Sequence, residues 1–304
     1  MHNNMISHFL HARKWGFDTL LRQMKDMISD FQLNCPLDQT PLDSDAKTLK
    51  CAQGHHFDIA KQGHVNLLPV QHKKSKDPGD SKAMVNARRR FLDSGVYQAI
   101  SNTLNQVCTP YLAGSTASQH ILDAGCGEGY YLNALSQAHP NHHYLGLDIS
   151  KWAVKSAAGR NPELTWVVGS NKYLPLPDQS VDLIVCLFGF PQYIEFARVL
   201  RPGGHLIMVD PAPQHLIEMR HIIFETVRTT PLVSIQPAFE AGFLELDTQF
   251  LNHKTGEINP SLIADLMAMT PYFYRASAEG KTRLANLKNL SITLDIGFRI
   301  LKIK

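Results

Sequence analysis

Long apolar runs are missing from this sequence. No stretch reaches the roughly 18 consecutive apolar residues that a membrane span requires. The N-terminal segment MHNNMISHFLHARKWGFDTLLRQMKDMISDF is interrupted by Lys14, Arg22 and Lys25 and has no continuous apolar core. Neither a spanning helix nor a secretory leader is expected. Cysteine is scarce too: five in 304 residues, irregularly spaced, are too few for a disulfide framework and point to a reducing, cytoplasmic compartment. There is no internal repeat and no low-complexity tract, so solenoids and fibrous arrays are set aside. What remains is ordinary globular material, 44% hydrophobic and 19% charged. It is long enough for one α/β domain of about 200 residues and a smaller module.

Net charge is small, +3, but unevenly placed. Between positions 61 and 90, Lys61, Lys73, Lys74, Lys76, Lys82, Arg88, Arg89 and Arg90 face only Asp77 and Asp80, so this segment carries +6. Such a block suits phosphates, and Lys73, Lys74, Lys76, Arg88, Arg89 and Arg90 are the candidate RNA contacts. A solvated loop with a basic face is the plainer alternative. Just upstream, CPLDQTPLDSDAKTLKCAQGHHFD (35–58) reads as a small zinc ribbon with one sulfur missing. Cys35 and Asp38 stand where a C-x-x-C knuckle would be, and Cys51 and His55 complete the set at a normal ligand spacing. The stretch is either a metal site or the remains of one.

Before the ribbon, Phe17, Leu20, Leu21, Met24, Met27, Ile28 and Phe31 recur at three- and four-residue steps, the period of an amphipathic helix. Such a helix packs on the chain's own core or on a second subunit, and the latter makes a homodimer. Three regions are expected: a helical extension (1–31), a ribbon module with a basic loop (32–82), and a larger domain (83–304). Residues 83–107 read as helical with a break at Gly95. From 120 onward the short apolar runs HILDAG, HYLGLDIS, LTWVVGS, VDLIVCLF and HLIMVDP alternate with helix-compatible stretches. That alternation predicts an α/β fold with a doubly wound, Rossmann-like parallel sheet.

The richest chemistry lies in ILDAGCGEGYY, 121–131. A buried strand ends at Asp123, then Gly125, Gly127 and Gly129 form a tight turn before a helix opening near Tyr130. The spacing is G-x-G-x-G, not the G-x-G-x-x-G of dinucleotide binders, and the strand-terminal Asp123 suits a ligand with an amino-acid portion. A second acid, Asp148, ends the next strand where it can accept from a ribose diol. With the helix-to-strand turn RVLRPGG (198–204), these features indicate S-adenosylmethionine as cofactor.

The run FDIAKQGHVNLLPVQHKKSKDPGDSKAMVNARRRFLDSGVYQAI, followed by LDAGCGEGYY, GLDISKWAVKSAA and PAPQHLIEM, resembles the RlmA-type 23S ribosomal RNA guanine-N1-methyltransferases over about residues 35 to 300. The resemblance implies a class I methyltransferase domain behind an N-terminal zinc module, acting on one guanine of a large-subunit hairpin loop, as in the guanine-745 type. It places cofactor contacts at Tyr97, Gly127, Glu128 and His215. In that family the ribbon carries C-x2-C, twelve residues, then C-x3-H; the count is kept here and only the second cysteine has become Asp38. The stretch LFGFPQY departs from the family's Ala-Pro-Cys run.

Methyl transfer to a ring nitrogen is an in-line displacement, so alignment and exclusion of water matter more than a strong nucleophile. Guanine N1 still carries a proton at neutral pH. Asp210, in VDPAP at the end of a strand, and His215 are the candidates to take it. LFGFPQY also lacks the Asn/Asp-Pro-Pro-aromatic pattern used on exocyclic amines, which favours a ring nitrogen. Two rivals stand beside this reading: a small-molecule methyltransferase indifferent to RNA, and an RNA-binding assembly factor that keeps the fold without the chemistry.

Overall fold

The computed structural model describes residues 31–45, 47–73, 75–113, 117–228 and 231–304. The expected N-terminal helix and Lys74 lie outside them. Among the described residues the chain forms two sheets. The smaller one is an antiparallel meander of β1 (Leu42–Asp45), β2 (Thr48–Cys51) and β3 (His56–Asp58). The larger holds β4 (Val65–Asn66), β5 (His120–Ala124), β6 (His143–Asp148), β7 (Thr165–Val168), β8 (Val181–Leu187), β9 (Leu200–Pro211), β10 (Phe243–Lys254) and β11 (Thr293–Ile303). Their spatial order is β10-β11-β9-β8-β5-β6-β7-β4.

From β4 through β9 neighbouring strands run parallel, while β9, β11 and β10 pair antiparallel. The parallel strands are buried on both faces, which is why they read as near-continuous apolar runs. β5 sits between β6 and β8, so the strand order reverses there. In open α/β sheets a ligand cleft forms beyond the carboxyl ends of the strands at such a point. The expected doubly wound sheet is present, with every one of the five predicted strands in it.

Among the described residues two α-helices precede β5: α1 (Lys82–Asp93), capped by Ser81 Oγ accepting from Met84 N, and α2 (Gln98–Leu112). Gly95, at φ +82°, makes the break between them. α3 (Tyr130–Ala138) follows β5, and α4 (Lys151–Arg160) follows β6. They bury one face of the sheet around Phe91, Leu104, Leu132 and Trp166. The opposite face is covered partly by the ribbon itself: Phe31, Leu33, Cys35, Leu42, Leu49 and Cys51 share a core with Leu122, Leu145, Leu147 and Val167. Asn34 N also donates to Pro175 O at 3.0 Å. The ribbon is not a swinging module, because its outgoing chain becomes β4 and pairs with β7 in the large sheet.

At the other edge, β10 is twelve residues long and exposes Leu244, Leu246 and Phe250. A bulge between Glu245 and Asp247 interrupts its pairing with β11.

Gly146, in the middle of β6, lies directly beneath Trp166. A Cβ there would stand 2.3 Å from Trp166 Cζ3 and 3.1 Å from Cys126 Sγ. Trp166 is fully buried and its Nε1 donates to Asn161 O at 2.7 Å, so it has no easy retreat. Gly146→Ala is expected to destabilise the fold by about 1–3 kcal/mol through overpacking, read as a lower urea midpoint. An unchanged midpoint would mean that the indole shifts without cost.

Candidate cofactor cleft and metal centre

The glycine turn takes its shape from backbone angles that side chains resist. Gly125, Gly127 and Gly129 have φ of +100°, +55° and +84°. Gly129 has a second reason to lack a Cβ, since one would meet Trp166 at 2.7 Å. The turn is tied to β6: Gly125 N and Cys126 N both donate to Leu147 O at 2.8 and 3.0 Å, and Gly127 N donates to Asp148 Oδ2 at 3.0 Å. Asp148 Oδ1 accepts from Ser150 N at 2.7 Å. Burial raises the Asp148 carboxyl, and these two amides oppose the rise. Asp123 is 1% exposed and its Oδ1 has no partner. Burial, with the Asp148 charge adding, pushes its carboxyl up to about 8.

A cleft of about 350 Å³ opens over this turn, and its lining includes Asp80, Arg88, Asp148, Ile149, Ser170, Asn171, Phe188, Phe190 and Gln192. A smaller chamber of about 60 Å³ continues inward between Arg88, Asp123, Tyr130 and Tyr131. The arrangement fits S-adenosylmethionine. Asp148 lines the cleft, and Asp123, with its orphan Oδ1, lines the inner chamber. Asn171 adds a site residue that the sequence reading missed. Its Nδ2 donates to Ala124 O at 3.2 Å and to Phe190 O at 3.4 Å, while its buried Oδ1 is unpartnered. Its position just beyond the carboxyl end of β7 was the available signal.

The other predicted residues fall in different places. Glu128 lines the small chamber; its carboxylate is 1% exposed, with Oε2 accepting from Arg160 Nε at 2.9 Å and Oε1 buried without a partner. Tyr97 is buried behind the cleft, edge-on to Phe91 at 5.0 Å and tilted toward His215 at 6.2 Å. His215 stacks on Phe188 at 6.2 Å with an interplanar angle of 14°, and its Nδ1 is buried without a partner. Phe188 itself holds φ +52°, a strained angle for an aromatic residue, which turns its ring toward the cleft.

Asp210 lines neither cavity. It alternates along β9 with Val209, which belongs to the core on the helical side, and its charge acts on Tyr193 and Cys186 on the other side.

The arginine run is also dispersed, because consecutive helical positions point about 100° apart. Arg90 forks onto Asp265, with Nε donating at 3.0 Å. Arg89 Nη1 donates to Ser156 O at 3.0 Å, and its Nε lies 3.7 Å from Asp93. Arg88 pairs with Asp80 inside the cleft. Lys76 is exposed and Lys73 half-buried on the loop outside it.

In the ribbon, the ligand atoms of Cys35, Asp38, Cys51 and His55 all lie within 4.8 Å of one another. His55 Nδ1 stands 2.9 Å from Asp38 Oδ2, 3.4 Å from Cys51 Sγ and 3.5 Å from Cys35 Sγ. A small tetrahedral ion with bonds of about 2.0–2.3 Å fits such a set. Asp38 is prepared for one bond only: Oδ1 accepts from Thr40 N at 2.9 Å and Thr40 Oγ1 at 2.6 Å, leaving Oδ2 to face the other donors. These Thr40 bonds hold its carboxyl well below the usual range.

Comparison with known proteins gives two family matches, "RlmA, N-terminal" over residues 33–76 and "Methyltransferase domain" over 121–204. A 23S rRNA (guanine(748)-N(1))-methyltransferase of Streptomyces fradiae is 37% identical over 188 residues, 62% of this chain and 66% of that one. A Micromonospora griseorubida protein named for 23S rRNA guanine-N1 methylation is 35% identical over 225 residues, 69% of this chain and 73% of its own length. A Bacillus subtilis protein with a name of the same kind is 29% identical over 288 residues, 91% and 99% of the two chains.

His215 supplies a pH test of the site's packing. Burial, with Arg220 adding, pushes its imidazole down to about 4. Below about pH 6.5 the unfolded chain takes up a proton that folded His215 refuses. Its contribution is therefore intact above pH 6.5 and is lost as pH falls toward 4, by up to about 3 kcal/mol. Urea unfolding of His215→Gln between pH 7 and 4.5 should show a shallower loss of stability than the wild type. Equal slopes would refute the buried neutral imidazole.

Proposed function

Because the chain belongs to the RlmA-type 23S ribosomal RNA (guanine-N1)-methyltransferases, we propose that it transfers a methyl group from S-adenosylmethionine to N1 of a guanine in 23S ribosomal RNA. The observation that carries this reading is the orphan Asp123 oxygen beneath a glycine turn, with Asp148 beside it, in a chain that also bears the ribbon.

Bound in the cleft, S-adenosylmethionine supplies a methyl group on a sulfonium sulfur, already activated for in-line displacement. The protein's part is to position the two reactants and keep water out. Asp148 accepts from the ribose hydroxyls, and Asn171 Oδ1 can accept from an exocyclic amine. Phe188, Gly189, Phe190 and Gln192 form the lip on the acceptor side. Phe190 is 86% exposed there and offers a face on which an unpaired base can stack. Of the two candidates for the N1 proton, His215 lies behind Phe188 with an unpartnered Nδ1 and Asp210 lies on the far face of β9; neither lines the cavities. Burial holds the His215 imidazole well below its ordinary value and makes it a weak proton acceptor, so neither residue is placed to take the proton directly.

RNA reaches this lip past the ribbon's outgoing loop. His72 stacks on Tyr173 at 4.6 Å, and Lys172, which lines the cleft, sits over the same Tyr173 ring; Lys73 and Lys76 follow His72 in sequence. Cys35, Asp38, Cys51 and His55 would hold zinc, whose role is to cross-link the two knuckles and fix the ribbon's shape. Ribosomal RNA as substrate, together with five free cysteines, supports a cytoplasmic location.

The reaction is tested by mapping N1-methylguanine in 23S ribosomal RNA from cells lacking the protein. One modified guanine should be missing, restored by the wild-type gene and not by Asp148→Ala. The variant should bind S-adenosylhomocysteine more weakly by about 1–3 kcal/mol, having lost a charged acceptor. An unchanged modification map in the deletion strain would sink the proposal, and the map also identifies which guanine is used.

For the ribbon, protein prepared without chelators should contain zinc, up to one per chain, and Asp38→Cys should resist chelators longer, since a thiolate replaces a carboxylate. Elemental analysis finding no zinc in either protein would leave the ribbon as a packed, metal-free module.

A further inference from the structure

Arg88 occupies a position that its place in a basic run does not suggest. It lines both the main cleft and the inner chamber, and its side chain is 23% exposed. Among the described residues, the cationic side chains lining these cavities are Arg88 and Lys172. Lys172 touches the outer cleft alone, its ammonium 5.4 Å over the Tyr173 ring at the rim. The Arg88 guanidinium sits against the glycine turn, with Nη1 3.7 Å from where a Gly127 Cβ would stand. The same chamber is lined by Asp123, with its unpartnered Oδ1. Besides Glu128, whose Oε2 is paired with Arg160, the chamber holds one cation and one carboxyl, the complement of an α-amino acid group.

The turn itself has few donors left for an anion. The amides of Gly125 and Cys126 are spent on Leu147 O, that of Gly127 on Asp148, and that of Gly129 on Cys126 O. A carboxylate entering the chamber therefore needs a side-chain partner. A guanidinium has five N–H groups in a planar fork that matches a carboxylate. Arg88 spends one on Asp80 and one on Met269 O at 3.3 Å, which leaves three. Those two bonds also hold the fork in place, so less side-chain freedom is lost on binding. Asp80 is itself anchored, since its carbonyl accepts from Ser150 Oγ at 2.7 Å.

We propose that Arg88 binds the methionyl carboxylate of S-adenosylmethionine, with Asp123 facing the ammonium of the same group. This rests on reading the cleft as the S-adenosylmethionine site, and it takes Arg88 out of the RNA-contacting set.

Calorimetry with two nucleosides separates the possibilities. S-Adenosylhomocysteine carries the carboxylate; 5′-methylthioadenosine keeps the adenosine and lacks the amino-acid group. Arg88→Met should weaken S-adenosylhomocysteine roughly 10- to 100-fold, the loss of a charge-assisted pair, and leave methylthioadenosine within about 2-fold. Arg88→Lys, which keeps the charge and most of the packing, should lose less, again for S-adenosylhomocysteine alone. Should Arg88→Met fail to fold, the lysine variant's selectivity decides the matter. Equal losses for both nucleosides, or no loss for either, would overturn the assignment. So would loss of RNA affinity in Arg88→Met with S-adenosylhomocysteine affinity retained. Wild-type protein that binds neither nucleoside overturns the methyltransferase reading, and the role of Arg88 with it.

Discussion

Two consecutive amides, those of Gly125 and Cys126, donate to one carbonyl, Leu147 O. That fork joins the end of β5 to the end of β6 and holds Asp123 and Asp148 beside the same turn. It requires the left-handed angles that Gly125 and Gly127 supply, and it requires the turn to lie close to β6. The close approach in turn needs Gly146 bare beneath Trp166, and Gly129 bare against the same indole. Ligand binding and core packing therefore share one set of glycines. A side chain added at either buried position would move the carboxylates as well as the core.

The ribbon shows how a ligand substitution can be absorbed locally. A carboxylate replacing a thiolate brings a second oxygen that must go somewhere. Thr40 takes it through both its amide and its hydroxyl, so Asp38 presents a single oxygen to Cys51 and His55. Because Cys35 and Cys51 are also part of the core shared with Leu145 and Val167, the knuckles are held by packing as well as by donor atoms. The ribbon, β4 and the loop to α1 form one continuous path from the metal-ligating set to the cleft rim.

Much of this was legible in the sequence, and the failures have physical causes. Buried parallel strands announce themselves as short apolar runs, and a glycine turn between a strand and a helix has few other uses. Ligand spacing in the ribbon survives the loss of one sulfur, so the four residues were found together. Charge counting at Arg88, Arg89 and Arg90 cannot see their partners: Asp80, Ser156 and Asp265 lie 8, 67 and 175 positions away. Asp210 was read as facing the pocket, yet HLIMVDP is apolar on both faces and contains no alternation from which to assign a side. Asn171 was overlooked because a lone amide after a strand carries no spacing pattern.

The outer edge strand β10 has a consequence for the chain in a crowded cell. A twelve-residue edge with Leu244, Leu246 and Phe250 exposed would be an invitation to stack copies edge to edge. The bulge at Leu246 breaks the row of free backbone groups in two. Glu245 and Asp247 flank that break, and Lys254 stands at the far end. Two copies meeting there find no long straight register and oppose like charges wherever the acidic ends coincide. The same irregularity that shortens the pairing with β11 thus disfavours edge-to-edge stacking of copies, above all in the interval when β10 has been made and β11 has not.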